Sequence, residues 1–176
     1  MKKLLAALSL ATLLAAPYIA NATPQQDLEE FQNFYKERFP NTPFDDFVNG
    51  VYSIDAASRA QWEDIEEFAP YELNISNGES LFNTPFANGK TYASCFDNGG
   101  IGIRQNYPYF DTDRGEVITL ELSINECREA NGEKPLKWKR GPIADISAYM
   151  ASTSTGNVFD IKIPDDPRAL AAYERG

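Results

Sequence analysis

Few residues in this chain could carry chemistry. There are two cysteines, Cys95 and Cys127, and no histidine in any of the 176 positions. Without an imidazole, Ser-His-Asp and Cys-His catalysis are excluded within the chain. So are most zinc sites and any His-ligated haem supplied by this chain alone. The even cysteine count points to a disulfide if the chain is exported; the alternative, a redox-active pair, lacks the usual C-x-x-C spacing. A bond between them would close a loop of about 30 residues and stabilise by roughly 2–4 kcal/mol. The acidic pairs Asp45-Asp46, Glu66-Glu67 and Asp165-Asp166 have the residue types of a glycosidase. Nothing near them in sequence supplies the desolvation that raises a carboxyl pKa. Gly99, Gly100 and Gly102 suggest positive φ or close backbone approach. A phosphate-loop reading is weak, because Tyr107-Pro108 follows rather than a Lys-Ser/Thr pair opening a helix. Lys134, Lys137, Lys139 and Arg140, with Trp138 among them, form a basic run that is either a solvated loop or a docking surface for an acidic partner or an anionic substrate.

The elements that must position these groups follow from periodicity and punctuation. Met1-Lys2-Lys3, the apolar run from Leu4 to Ala16, Pro17 and Ala20-Asn21-Ala22 read as a signal peptide cleaved after Ala22. Asp27 to Phe39 reads as a helix with Leu28, Phe31, Phe34 or Tyr35, and Phe39 near one face, ended by Pro40 and Pro43. Ala56 to Phe68 reads as a second, with Trp62 and Ile65 inward. Glu116 to Ala130 reads as the clearest helix: Val117, Leu120, Ile124 and Cys127 share a face, and Asn131-Gly132 caps its end. Pro142 opens another, with Ile143, Ile146, Tyr149 and Met150 inward. Val158 to Ile163 alternates like a short strand or extended arm. Asp166-Pro167 starts a last helix, N-cap then first-turn proline.

Charge narrows the partners. The chain has 16 basic and 26 acidic residues, a net charge of −10, and loses Lys2 and Lys3 with the leader. A polyanion would be repelled, so the charge balance argues against nucleic-acid binding. The 12% aromatic content supplies apolar mass for a folded core. No stretch after the leader has the roughly 18 apolar residues of a membrane helix.

Tyr92-Ala93-Ser94-Cys95-Phe96 has the shape of a c-type haem attachment string, Cys-x-x-Cys-His, with Tyr92 in place of the first cysteine and Phe96 in place of the histidine. Around it, in order, stand Gly78-Glu-Ser-Leu-Phe82, Asn88-Gly-Lys90, Gly102-Ile-Arg104, Tyr107-Pro-Tyr-Phe-Asp111, Asn125-Glu-Cys-Arg128, Asn131-Gly-Glu-Lys-Pro135 and Ala148-Tyr-Met-Ala151. The series resembles the SoxA family, cytochrome subunits of the periplasmic SoxAX complexes of sulfur-oxidising bacteria, over roughly residues 46–176. The resemblance implies a mainly α fold of two cytochrome c-type domains in tandem, the first of which carries a haem in some members and a disulfide in others. It places Cys95 at the second haem-attaching cysteine and Cys127 at the distal ligand, and so implies a Cys95–Cys127 disulfide in a haem-free domain. It also implies L-cysteine S-thiosulfotransferase activity of the intact subunit: with a SoxX-like cytochrome, thiosulfate is coupled oxidatively to a cysteine of a SoxYZ-like carrier, electrons passing through haem c in the second domain.

We therefore expect a signal peptide (1–22), an N-terminal extension (23–75), a haem-free cytochrome c-like helical domain (76–163) and the start of a linker or helix toward a missing second domain (164–176). The chain itself is expected to hold no catalytic residue, no haem and no metal, and to act in the periplasm as a structural, partner-contacting portion. The side of the last helix bearing Leu170 and Tyr173 is expected to face that second domain and so to be exposed here. The alternative is a self-contained, haem-free adaptor that binds through Lys134–Arg140.

Overall fold

Gly78 sits in the middle of a helix, where glycine costs roughly 0.5–1 kcal/mol relative to alanine; close packing explains its presence. The computed structural model describes residues 23–159 and 161–176, so the expected leader lies outside the described residues. In chain order the elements are α1 (Pro24–Arg38), a 3-10 segment (Phe44–Ser53), α2 (Ala56–Glu66), α3 (Glu72–Asn83), short 3-10 turns, a hairpin of β1 (Tyr109–Asp111) and β2 (Glu116–Ile118), α4 (Leu120–Ala130), α5 (Pro142–Ser152) and α6 (Pro167–Arg175). The architecture is mainly α, as expected. Its largest helix pairing is α3 on α5. At Gly78 the two backbones are so close that a Cβ would lie 1.9 Å from the Asp145 carbonyl oxygen and 2.9 Å from Tyr149 Cβ.

Three helices enclose the core. α5 opens with Pro142 at its first turn and buries Ile143, Ile146 and Met150. α4 is capped by Thr119, whose hydroxyl accepts from the Leu122 amide, and buries Leu120, Ile124, Asn125 and Cys127. It ends in paired reverse bonds, Gly132 N–H to Glu129 C=O and Glu133 N–H to Arg128 C=O, with Gly132 at φ 80°. This is the glycine-terminated arrangement expected from Asn131-Gly132. Phe82 of α3, Phe86, Tyr92 and Ile103 complete the cluster.

The structure corrects several expectations. The helix expected from Glu116 begins only at Leu120. Glu116–Ile118 pairs antiparallel with Tyr109–Asp111, in the register Tyr109 to Ile118, and Val117 is 44% exposed rather than inward. The physical reason lies in the turn. Asp111 accepts from the Asp113 and Arg114 amides and Gly115 takes φ 74°, which folds the β-branched run back as a hairpin. Ile65, expected inward on α2, is 55% exposed, while Trp62 is half-buried and stacks on Tyr52 with centroids 5.3 Å apart. α3 was not anticipated as a helix at all. Residues 72–75, assigned above to the extension, form its first turn. Among residues 158, 159 and 161–163 the extended-arm alternative holds, with no strand pairing.

The three helical segments of the extension pack through aromatic contacts and bury no residue. Tyr35 meets Phe39 and Phe47 at 6.2 and 5.7 Å, and Lys36 Nζ lies 4.2 Å above the Phe44 ring. α6 starts at Asp166, which caps it by accepting from the Arg168 amide. The Arg168 guanidinium beside it holds the Asp166 carboxyl down at about 2 and also donates to Thr112 C=O at 2.7 Å, tying the helix to the hairpin. Ala169 is buried, whereas Leu170 and Tyr173 are each 39% exposed; the Tyr173 hydroxyl donates to Asp27 at 2.9 Å.

Leu120 and Val117 provide the check on the corrected register. Leu120→Ala should cost about 2–5 kcal/mol, and Val117→Ala no more than about 0.5 kcal/mol. Urea unfolding of the two variants measures both, and equal losses would contradict the hairpin-then-helix assignment.

Candidate functional site

The segment from Phe86 to Phe96 wraps over α3 and fastens to α4. A tight turn joins the Phe86 amide to Lys90 C=O at 2.7 Å, and a 3-10 turn (Tyr92–Ser94) follows. Tyr92 is 1% exposed. Its ring lies nearly parallel to Phe82, centroids 5.7 Å apart, and edge-on to Phe86 at 4.8 Å. Its hydroxyl accepts from Arg128 Nη1 at 3.0 Å. Burial pushes the Tyr92 phenol above its ordinary value, more strongly than Arg128 pulls it down, so the ring is a neutral core group near pH 7. Arg128 also donates to Lys134 C=O at 2.7 Å and pairs with Glu133 at 3.5 Å, so one guanidinium joins the Tyr92 turn, α4 and the start of the basic run.

Cys95 and Cys127 are joined in a disulfide, with Cα atoms 5.7 Å apart. Cys127 is buried in α4, while Cys95 is exposed. The Asn131 amide group donates to Cys127 C=O at 2.8 Å and lies 3.5 Å from Cys95 Sγ, and Asn88 in turn donates to Asn131. Phe96 is half-buried against the core. Beyond it Asn98, Gly99, Gly100 and Gly102 all have positive φ. Both reasons for glycine apply at Gly100, where a Cβ would lie 2.7 Å from Phe82 Cζ. Two amides of this segment are engaged within the fold: Gly102 N–H donates to the Thr153 hydroxyl and Arg104 N–H to the Ser154 hydroxyl.

The other candidates are dispersed. Asp46 pairs with Arg59 at 3.3 Å, Glu66 accepts from the Tyr71 hydroxyl, and Asp166 caps α6. Each acidic pair thus has one member in an ordinary structural contact. Among the described residues no group of three or more His, Cys, Asp or Glu could hold a metal ion. Lys134, Lys137, Trp138, Lys139 and Arg140 are exposed on a segment pinned from below. Asn125, 3% exposed, donates to Leu136 C=O at 3.1 Å and accepts from Leu136 N–H at 2.7 Å. Sequence reasoning met Asn125, Arg128 and Gly78 only as letters of the resembling strings and gave them no structural role. A polar residue one position from a buried apolar one, as Asn125 is from Ile124, was the available signal for the first.

Comparison with known proteins finds a likeness over the site and its surroundings. Residues 77–159 match the model of the SoxA/TsdA cytochrome c domain. Over those residues the chain is similar to that family. It is 55% identical over 167 residues to the L-cysteine S-thiosulfotransferase subunit SoxA of Allochromatium vinosum, covering 94% of this chain and 59% of that protein. It is 53% identical over 148 residues to the subunit of the same name from Chlorobaculum tepidum, covering 84% of this chain and 50% of that protein. A third, from Rhodovulum sulfidophilum, is 28% identical over 140 residues. The chain therefore spans only about half to three-fifths of the length of the first relatives.

The family implies a c-type haem, and the donor set here does not fit one. Covalent attachment and ligation use two thioether cysteines and a histidine. At those three positions stand Tyr92, packed into the core, Cys95, bonded to Cys127, and Phe96. With no histidine in the chain, no step can be derived through a haem on these residues.

Replacing both cysteines by serine should cost about 2–4 kcal/mol, and Tyr92→Ala about 3–5 kcal/mol, the range for a large aromatic in a core. Denaturant unfolding without reductant checks both. A double-serine variant as stable as the parent would show that the bridge carries no structural role.

Proposed function

We propose that this chain is the N-terminal, haem-free portion of a SoxA-like sulfur-oxidation cytochrome subunit, acting in the periplasm as a structural and partner-contacting domain. One observation carries the reading: 55% identity to a SoxA over 94% of the chain, with a disulfide and a buried tyrosine where a haem string would stand. The intact subunit, with a SoxX-like cytochrome, would join thiosulfate to a cysteine of a SoxYZ-like carrier. That reaction forms an S–S bond between carrier sulfur and the sulfane sulfur of thiosulfate, releases the thiol proton and gives up two electrons to an acceptor. Neither the acceptor haem nor a catalytic cysteine is assigned to residues 23–176. The chain's role is then to hold its fold by its own side chains and to present contact surface, including the half-exposed Leu170 and Tyr173 of α6, which we assign to contact with a second, haem-bearing domain.

The reading frame beyond codon 176 supplies the first test, with a Cys-x-x-Cys-His string expected there. The second is an assay of the intact gene product with its cytochrome partner, thiosulfate and a carrier cysteine. The double-serine variant at Cys95 and Cys127 should keep its turnover per folded molecule while its melting temperature falls. A stop codon immediately after Gly176, with no thiosulfate-dependent modification of any carrier cysteine, would favour a self-contained adaptor instead.

A further inference from the structure

The basic run is unusual in a chain whose other guanidinium groups are mostly engaged. Arg59, Arg114, Arg128 and Arg168 each pair with a carboxylate. Lys134, Lys137, Lys139 and Arg140 fall within seven residues, are all exposed, and form no side-chain ion pair or hydrogen bond among the described residues. The segment is nevertheless held in place. Asn125 grips both backbone groups of Leu136, Arg128 grips Lys134 C=O, and Lys139 is fixed at φ 75°. A cation cluster already ordered by buried donors loses less entropy on binding than a mobile one. Trp138, 53% exposed, stands beside a groove of about 490 Å³ shared with Ile143, Ala144 and the Ser147–Glu121 hydrogen-bonded pair.

We propose that this face docks an acidic segment of another protein, the cations meeting its carboxylates and Trp138 receiving an apolar side chain beside them. The net charge of −10 does not prevent it. At about 0.15 M salt the screening length is about 8 Å, so a partner at the patch senses the four cations more than the acidic surface elsewhere. That surface then works against wrong orientations. A nucleic acid meets the same repulsion along its whole length. A small anion does not exploit the whole face: the cations are carried along seven residues, at most about 20 Å of chain at about 3.3 Å per residue, and an exposed indole adds nothing to its recognition. The inference concerns a surface and stands independently of the function proposed above.

The probe is a synthetic peptide rich in Asp and Glu with one central leucine, titrated into the isotope-labelled chain and followed by amide and indole shifts. Shifts should centre on residues 134–147 and the Trp138 indole, leaving that of Trp62 unmoved. Affinity should fall at least about tenfold between 20 and 500 mM salt. Binding should be lost in the Lys137→Glu, Lys139→Glu double variant, whose melting temperature should match the parent. A peptide with alanine for leucine should bind several-fold more weakly. The proposal is overturned by shifts elsewhere or none, by undiminished binding to the charge-reversed variant, or by indifference to the leucine. It is equally overturned if sulfate or thiosulfate alone produces the same shifts at the same concentration, which marks a small-anion site, or if the shifts arise from concentration alone, which marks a second copy as the occupant.

Discussion

The close approach of α3 to α5 at Gly78 is the contact on which the rest of this domain depends. Gly78 and Phe82 are four residues apart and share a helix face. Once Gly78 is seated against Asp145 and Tyr149, Phe82 is delivered into the core, 5.3 Å from the Tyr149 ring. Tyr92 then stacks on Phe82, and the backbone at Gly100 lies too near the same ring to admit a Cβ. One missing methyl thus sets the position of the loop that holds both Cys95 and the glycine-rich turn. The disulfide and the Arg128–Tyr92 bond then attach that loop to α4.

Under the proposed function, this packing is how a cytochrome c-like domain would do without a haem. In such a domain a haem would supply apolar surface for the helices to pack on. Tyr92, Phe82, Phe86 and Met150 form one buried cluster, and the bridge ties the Cys95 loop to α4; on the proposed reading these take over that role. The extension shows the reverse balance. Phe31, Val48 and Phe68 remain mostly exposed, so its order rests on local caps and aromatic edges rather than on burial.

Much of this was legible in the sequence, and the failures have physical causes. α5 and the start of α6 were readable because proline and aspartate mark helix starts through fixed φ and side-chain caps. The end of α4 was readable because Asn-Gly is a chemical signal rather than a statistical one. Val117 misled because spacings of three, four and three to Leu120, Ile124 and Cys127 fit a helix, while pairing with Phe110 across a hairpin is not visible in a periodic count. α3 was missed because Asn77-Gly78 reads locally as a turn, and only α5, more than sixty residues away, makes glycine favourable there. Ile65 failed because a periodic face says where a helix would bury itself, not whether anything covers it. Of the site, the cysteines were plain in the sequence, whereas the partners of Asn125 and Arg128, namely Leu136, Lys134 and Tyr92, are distant in sequence and no local pattern reveals them.

The central claim is that residues 23–176 fold around their own side chains and one disulfide, without a haem. Its most direct test is to export the chain in a host with full haem c maturation, then record the visible spectrum and the thermal melt of its far-UV circular dichroism. The account predicts no Soret band on the denatured polypeptide and a single cooperative melt. A Soret band that stays with the denatured chain, or helical signal that melts cooperatively only when haem is attached, would contradict it.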